Sequence, residues 1–544
     1  MASGEYIEVP TGKQSMPVEQ VYALARQYQQ SGHLAAAADL CRQLVEARPK
    51  HAEGLHLMGI ISHQEGDLVA AIDYVKRAIA AKGTVPLYHS NLCEMCRQAG
   101  RLDEAISAGK RALELQPNLA PALNNLGIAY FDREDFAAAE RYYRRALALD
   151  PNFAEVHNNL ANALRQQHKF EAAIPEYTRA MELKPGYADA AANLGSVLHI
   201  SGRFDEAISS YRWALTLDPN QANAHAGVGI LHLLHADFEQ GWPEYEWRLL
   251  MAESRHVAPP GPVWDGGNPA GVRMLVYGEQ GFGDALQFCR YLPMLKERGA
   301  DVFLRLPAPV AGLIGDSMPG IDVSSGPGLP SYDCHCALLS LPHRFQTRLN
   351  TIPNPVSYLY ARPEIAAKWA TRLGSGPEFK VGVVWTGNPK HLNNRYRSTT
   401  AEALLPLLGV EGTRFFSLQV GARHNEMTQR SKGAVPDLSP ELSDYSETAG
   451  AIANLDLVVT VDTSVAHLAG ALGKPVWVLL SAVPDWRWML VREDNPWYPT
   501  MRLFRQRTPE DWAGVIERVA AELRAVLAGD RSRLMPYLRS AARE

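Results

Sequence analysis

The sequence predicts an all-helical repeat array through the first half of its 544 residues and an α/β region of two parallel-sheet lobes through the second. Three observations carry that expectation. Punctuation recurs every 34 residues: Pro49, Pro117, Pro151, Pro185 and Pro219 share one register with Gly83, and Ala37, Ala71, Ala105, Ala139, Ala173 and Ala207 form a second column. The period stops in the Pro/Gly-rich stretch SRHVAPPGPVWDGGNPAG. Beyond it, apolar runs of strand length alternate with amphipathic segments, the pattern of βαβ units.

Within each repeat, two amphipathic helices are expected, with Gly32, Gly66, Gly100 or Gly202 at the turn between them and proline where the second must stop. Glu134 and His168 take the turn position in two units. Gly59, Gly127, Ala161 and Gly195 keep the first helix slim where it meets its neighbour, and the alanine column does the same for the second. Six good units fit residues 18–221; a degenerate seventh follows, with Gly241 and Arg248 in place of alanines and a cap-like ending, GWPEYEWR. Period and pattern resemble the tetratricopeptide repeat, a 34-residue helix pair.

Asn91, Asn125, Asn159 and Asn193 occupy one register, just before a core residue of the first helix. An amide presents donors and an acceptor, so a stacked row can hold the backbone of an extended peptide whatever its side chains. Each can equally cap or bridge neighbouring turns. The row resembles the asparagine ladder of the nucleocytoplasmic O-linked N-acetylglucosaminyltransferase, from which Leu57 and Gly227 depart at either end. Peptide binding along the repeats and plain scaffolding both fit the row, and a protein as acceptor is inferred from the fused repeats alone.

With 46% apolar and 21% charged residues and a net charge of −5, the chain reads as an ordinary soluble protein with no basic footprint for nucleic acid. Residues 1–17 read as a loose tail without the apolar core of a signal peptide, and no run approaches the roughly 18 apolar residues of a membrane span. A cytoplasmic protein is expected. Cys93 and Cys96 have CxxC spacing and Cys334, His335 and Cys336 are contiguous, but no second pair completes a zinc site, so buried free thiols and no metal are expected.

The expected domains are the tail 1–17, repeats 18–253, a linker 254–270, a first lobe 271–375 and a second lobe 376–544. VRMLVY, GEQGFGD, ALQFCRYLPMLKERG and ADVFLRL make one βαβ unit; KVGVVW, a polar loop, a helix over 401–409, RFFSLQV, DLVVTV and KPVWVLL make the second set. A shared cleft is expected at the carboxyl ends of the strands. There Asp462, Thr463 and Ser464 open a helix directly after a buried strand, where free N–H groups and the helix dipole suit an anion. His467, on the first turn, can add a donor. The plainer reading makes Asp462 and Thr463 N-caps and packs His467 in the helix.

Lys390, His391, Arg395 and Arg397 cluster after KVGVVW, with Asn388 and Ser398 as neutral donors. A solvated loop explains them, and so does stabilisation of a departing anion, for which Arg397 can bind two oxygens at once. Gln419 ends FFSLQV, where it either meets a nucleoside or satisfies loop backbone. Asp485, Trp486, Arg487 and Trp488 follow VWVLL, the tryptophans covering a ligand ring or packing between lobes. Asp284 closes GFGD, as a proton acceptor or as a cap, after Gly281 and Gly283.

The string DTSVAHLAGALGKP resembles the phosphate-binding segment of heptosyltransferase-like glycosyltransferases, with Ser464 where many members have glycine. The resemblance covers roughly residues 262–512. GEQGFGDALQFCRYLP, VVWTGNPKH, YRS and DWRWML are similar to bacterial proteins that fuse tetratricopeptide repeats to such a transferase. It implies a GT-B fold of two Rossmann-like lobes, acceptor on the first and nucleotide-sugar on the second. It also implies an inverting reaction without divalent metal, with Asp284 as base; Arg397 on the leaving group comes from the loop's own chemistry, and no cofactor is expected. Donor-binding residues would be Gly283, Asn388, Lys390, Gln419, Asp462, Thr463, Ser464 and His467. The expected activity is glycosylation of a protein, flagellin among the acceptor classes, on Ser or Thr. A glycan or lipid-linked-glycan transferase and a repeat scaffold with a degenerate transferase domain are the alternatives.

Overall fold

The turn inside each repeat needs left-handed backbone, and Gly32, Gly66, Gly100 and Gly202 supply it with φ between 72° and 86°. Glu134, His168 and Ala236 adopt the same conformation at 60–64° without glycine's freedom. The computed structural model describes residues 6–9, 14–251, 258–389 and 393–536. Six full helix pairs, each of 13 and 14 residues, run from Val18–Gln30 with Leu34–Ala47 to Ala188–Ile200 with Phe204–Leu217. The alanine column is completely buried. A Cβ on Gly59 would lie 2.5 Å from Val75 Cγ2, and one on Gly127 2.5 Å from the Tyr143 ring, which is why small residues hold those positions.

In the seventh pair, Ala222–Leu234 is followed by a second helix of only eight residues, Phe238–Tyr245, and a 3₁₀ turn, Glu246–Leu250. The chain divides into two compact units, Met1–Val197 and Leu198–Glu544, so this last pair belongs to the same unit as the sheets. The expected loose tail is corrected in part. Tyr6–Val9 (β1) pairs antiparallel with Gln14–Pro17 (β2), Tyr6 opposite Pro17, as suits the strand-forming residues Tyr6, Ile7 and Val9. The expected linker also ends early: Trp264 N–H donates to His335 O at 2.8 Å, and the Trp264 side chain is buried.

Two parallel sheets follow. The first contains β3 (Arg273–Tyr277), β4 (Asp301–Arg305), β5 (Asp322–Ser324) and β6 (Cys334–Ala337) in the order β5-β4-β3-β6. The second contains β7 (Phe379–Val384), β8 (Thr413–Ser417), β9 (Leu457–Val461), β10 (Val476–Leu480) and β11 (Met501–Arg505) in the order β11-β10-β9-β7-β8. In both, the direction of winding reverses beside the first strand. Crevices therefore open at the carboxyl ends of β3 and β6 and of β7 and β9, where doubly wound sheets bind ligands. All six cysteines are buried free thiols. Among the described residues no helix is long and apolar enough to cross a membrane.

Candidate functional site

The two crevices differ. In the first sheet the space beyond β3 and β6 is filled from within: the Glu279 carboxylate accepts the N–H groups of Leu338 and Leu339 at 3.1 and 3.2 Å. Arg248, from the 3₁₀ turn after the last helix pair, binds Glu279 at 2.8 Å and Ser340 Oγ at 3.0 Å. Both charged side chains are nearly inaccessible, 3% and 2% exposed.

At the second crevice, β9 runs into Asp462 and Thr463, and Thr463 is the N-cap of the helix Ser464–Ala471. Its hydroxyl does not cap; Oγ1 lies 3.0 Å from Thr460 Oγ1. Ser464 Oγ accepts the Tyr445 hydroxyl at 2.5 Å. From β7 the chain enters a loop fastened by Ser398, whose Oγ accepts Gly387 N–H and Thr386 Oγ1–H, both at 3.2 Å, and donates to Asn394 Oδ1 at 3.0 Å. Ser398 is thus part of the scaffold. The loop sets Arg397 Nη1 3.8 Å from Asp462 Oδ2. Arg397 Nε is buried without a partner among the described residues. Burial pushes the Asp462 carboxyl up to about 6, with Arg397 pulling the other way. Asn388 is exposed in this loop; Lys390 and His391 lie outside the described residues.

Across the cleft, the helix Phe282–Phe288 starts at Gly281, and Asp284 Oδ2 accepts the Gly281 N–H at 2.9 Å, so the capping role of Asp284 is realised. Its Oδ1 pairs with Arg487. The carboxylate is recessed, 18% exposed, and burial raises its pKa against the pull of Arg487. Gly283 brings the lobes together. A Cβ there would sit 2.8 Å from His467 Cδ2 and 3.5 Å from Ser464 Cα, so the starts of the two helices meet at a residue that must lack a side chain.

Two expected donor contacts are corrected. His467 is only 5% exposed, its Nδ1 is 3.0 Å from the Tyr498 hydroxyl and its ring stacks on Trp488 at 5.2 Å. Burial lowers its pKa to about 3, so the imidazole is neutral and packed, and a hydrogen bond from it to a ligand would come from a neutral ring N–H. Gln419 is consumed by the loop: Oε1 accepts Trp385 and Thr386 N–H at 3.2 and 3.0 Å, and Nε2 donates to Val420 O at 3.0 Å. Trp486 and Trp488 are buried and pack, Trp486 against Trp242, Tyr245 and Phe288.

The asparagine row is also partly spent. Asn91 Nδ2 lies 2.9 Å from His56 Nε2, Asn125 donates to Ser90 O at 3.2 Å, Asn159 to Asn124 Oδ1 at 3.1 Å and Asn193 to Asn158 Oδ1 at 3.4 Å. Each amide bridges to the preceding repeat. Each side chain is half-buried, and its amide oxygen is an acceptor that these bridges do not use.

Sequence reasoning left Arg487 without a role and missed the Arg248–Glu279 pair. Arg248 carried a signal, being a charge where the repeat register demands alanine. It also missed Arg290, a buried cation that donates to Gln287 O at 2.7 Å, Tyr358 OH at 2.7 Å and Trp497 O at 2.5 Å, tying the two lobes together.

Residues 22–86, 84–152 and 152–220 match tetratricopeptide-repeat family models. The N-terminal region is a tetratricopeptide-repeat array. Protein FlbA of Caulobacter vibrioides is 27% identical over 290 residues, 49% of this chain and 48% of FlbA, so the likeness spans about half of each protein. Among solved structures, pilF of Pseudomonas aeruginosa is 19% identical over 38% of this chain and 94% of its own, with a TM-score of 0.35. MamA is 27% identical over 31% of this chain and 98% of its own, with a TM-score of 0.28. Tetratricopeptide repeats are protein-binding modules, which makes the N-terminal region an interaction surface.

Proposed function

We propose that the chain is an inverting glycosyltransferase of the GT-B type that moves a sugar from a nucleotide-sugar to a Ser or Thr hydroxyl of a cytoplasmic protein recruited by the repeats. One observation carries the reading: at Gly283 the start of the Phe282–Phe288 helix meets the start of the Ser464–Ala471 helix, which sets Asp284 of one lobe beside the open crevice of the other. The diphosphate lies on the first-turn amides of the Ser464 helix and on Arg397, whose positive charge does the work a divalent metal would otherwise do. The acceptor oxygen attacks the anomeric carbon from the opposite face, the carbon–phosphate oxygen bond breaks with its electron pair leaving on the diphosphate, and the hydroxyl proton passes to Asp284. Although Asp284 already accepts two hydrogen bonds, a carboxylate has about four lone-pair sites, so it can receive the hydroxyl as well. A non-catalytic repeat scaffold is the second reading, favoured by that double engagement of Asp284.

The test is a thermal-shift screen with UDP-, GDP-, ADP- and CMP-sugars, followed by intact-mass analysis of co-expressed candidate acceptors. A donor at 100 times its Kd stabilises the fold by about 2.7 kcal/mol. A sugar-sized mass increment that is lost in Asp284→Asn supports transfer. Absence of both a thermal shift and a mass increment across the donors returns the chain to the scaffold reading. Changing Asn125, Asn159 and Asn193 to Ala should impair modification of the protein acceptor and spare hydrolysis of the donor; equal rates on the acceptor would remove the ladder from recruitment.

A further inference from the structure

Asp284 belongs to the first lobe, but the group that holds its Oδ1 comes from the second. Arg487 sits on the 3₁₀ turn Trp486–Trp488, which follows β10. Its guanidinium is fixed from several sides. Nη1 donates to Asp485 Oδ1 at 2.8 Å, and the Arg487 backbone N–H reaches the same oxygen at 3.0 Å. The guanidinium carbon lies 4.4 Å from the centre of the Trp486 ring and 5.6 Å from that of Phe288. The side chain is 8% exposed, and its Nε is buried with no partner among the described residues.

We propose that Arg487 is a positioning residue that acts through Asp284: it orients the carboxylate, keeps it ionised for proton transfer and makes that alignment depend on the two lobes being together, with Asp485 as the anchor of the guanidinium. The inference rests on Asp284 being the general base. Two carboxylates flank one cation, and their surroundings push them apart. Burial raises Asp284 with Arg487 opposing; for Asp485, whose side chain is 36% exposed, Arg487 outweighs the partial loss of solvent and holds it below the usual carboxylate range. Asp284 is therefore the member that takes the proton and Asp485 the one that stays charged. When Asp284 becomes protonated by the acceptor hydroxyl, Arg487 keeps its pairing with Asp485, so no bare cation is left buried at the end of the step. Asp284 is also faced by Glu279 on its own loop and by Arg248 and Tyr245 from the last helix pair, while the neutral His467 lies against the neighbouring Gly283. Among the described residues Arg487 is the cation bonded to it.

The test reads Asp284 itself, in the full-length protein and without substrate. Carbodiimide coupling of glycine ethyl ester to Asp284 is followed from about pH 4 to 8 by peptide mass spectrometry, normalised to exposed carboxylates in the same digest. Arg487→Gln should move the midpoint up by about one to three pH units, the effect of losing an adjacent cation. Arg487→Lys, which keeps the charge without the fork, should stay near the wild-type midpoint while lowering kcat at unchanged donor KM once a donor and acceptor are in hand. If Arg487→Gln fails to fold, the charge-balanced pair Asp485→Asn with Arg487→Gln takes its place, with a smaller upward move expected because an anion that also raises Asp284 is removed together with the cation. A merely structural Arg487 predicts a lower melting temperature with kcat per folded molecule unchanged in Arg487→Lys, and an unmoved midpoint in a folded Arg487→Gln protein overturns the proposal. A moved midpoint in a protein that transfers sugar from none of the donors keeps the coupling and sinks the transfer reading instead.

Discussion

In the first unit, contacts recur with the repeat; in the second, the contacts that shape the site occur once. Asn125, Asn159 and Asn193 each reach back 35 residues to the preceding repeat, and the exposed pairs Lys82–Glu53 and Lys184–Glu155 each span 29 residues. By contrast, Arg487–Asp284 spans 203 residues, Arg290–Trp497 207 and Trp242–Thr347 105, and none of the three recurs at the repeat interval among the described residues. A repeat array adds many small, replaceable increments between neighbours. The sheet unit instead depends on a few buried polar contacts whose loss leaves a charge stranded.

The largest expected effect follows from that contrast. Arg248→Ala leaves Glu279 buried and unpaired and should destabilise the second unit by about 3–5 kcal/mol, whereas Lys82→Ala, which removes an exposed pair, should cost no more than about 1 kcal/mol. All eleven tryptophans lie at or beyond Trp213, so fluorescence-detected urea unfolding reads the second unit for Arg248→Ala, and loss of the far-ultraviolet helical signal reads the first unit for Lys82→Ala. A cost for Arg248→Ala as small as that for Lys82→Ala would erase the distinction.

A second test uses pH. Asp462 ionises near 6 in the folded chain but near 4 when unfolded, so burying its charge costs stability increasingly between those values and fully above them. Asp462→Asn removes that cost. It should stabilise the second unit by about 3 kcal/mol at pH 7.5, with the gain fading as pH falls through 6 and gone near 4. A gain independent of pH would contradict the burial argument.

Smaller effects are expected among the repeats. Gly127→Ala drives a methyl group into the Tyr143 ring and should cost about 1–3 kcal/mol, read as an earlier loss of far-ultraviolet helical signal. Glu134→Gly relieves a left-handed backbone and should stabilise by less than about 1 kcal/mol. A larger change at Glu134 would show that its turn does more than connect two helices.

The same contrast governs what the sequence disclosed. Helix pairs, turn glycines and the buried alanine column were all legible, because a period averages over six copies and local exceptions do not hide it. Strands such as β7 and β9 were legible as continuous apolar runs. Short β5 and the edge strand β11 were not, since pairing with a distant neighbour, rather than local pattern, makes them strands. At the site, Asp284, Arg397 and the Asp462–Ser464 helix start could be placed because each follows a strand. The burial of His467 and the internal use of Gln419 could not, because both depend on which remote side chains, Tyr498 and Trp488 or the Trp385 amide, come to lie against them.

The most direct test of the central claim, that the second crevice holds a nucleotide-sugar, is calorimetric titration of the donor found by the thermal screen into wild type, Arg397→Ala and the triple asparagine variant. Losing a charge-assisted hydrogen bond of about 1.5–3 kcal/mol should weaken donor binding by Arg397→Ala about 10- to 150-fold. The asparagine variant should bind the donor as wild type does. Wild-type affinity in a folded Arg397→Ala protein would contradict the placement of the donor at this crevice.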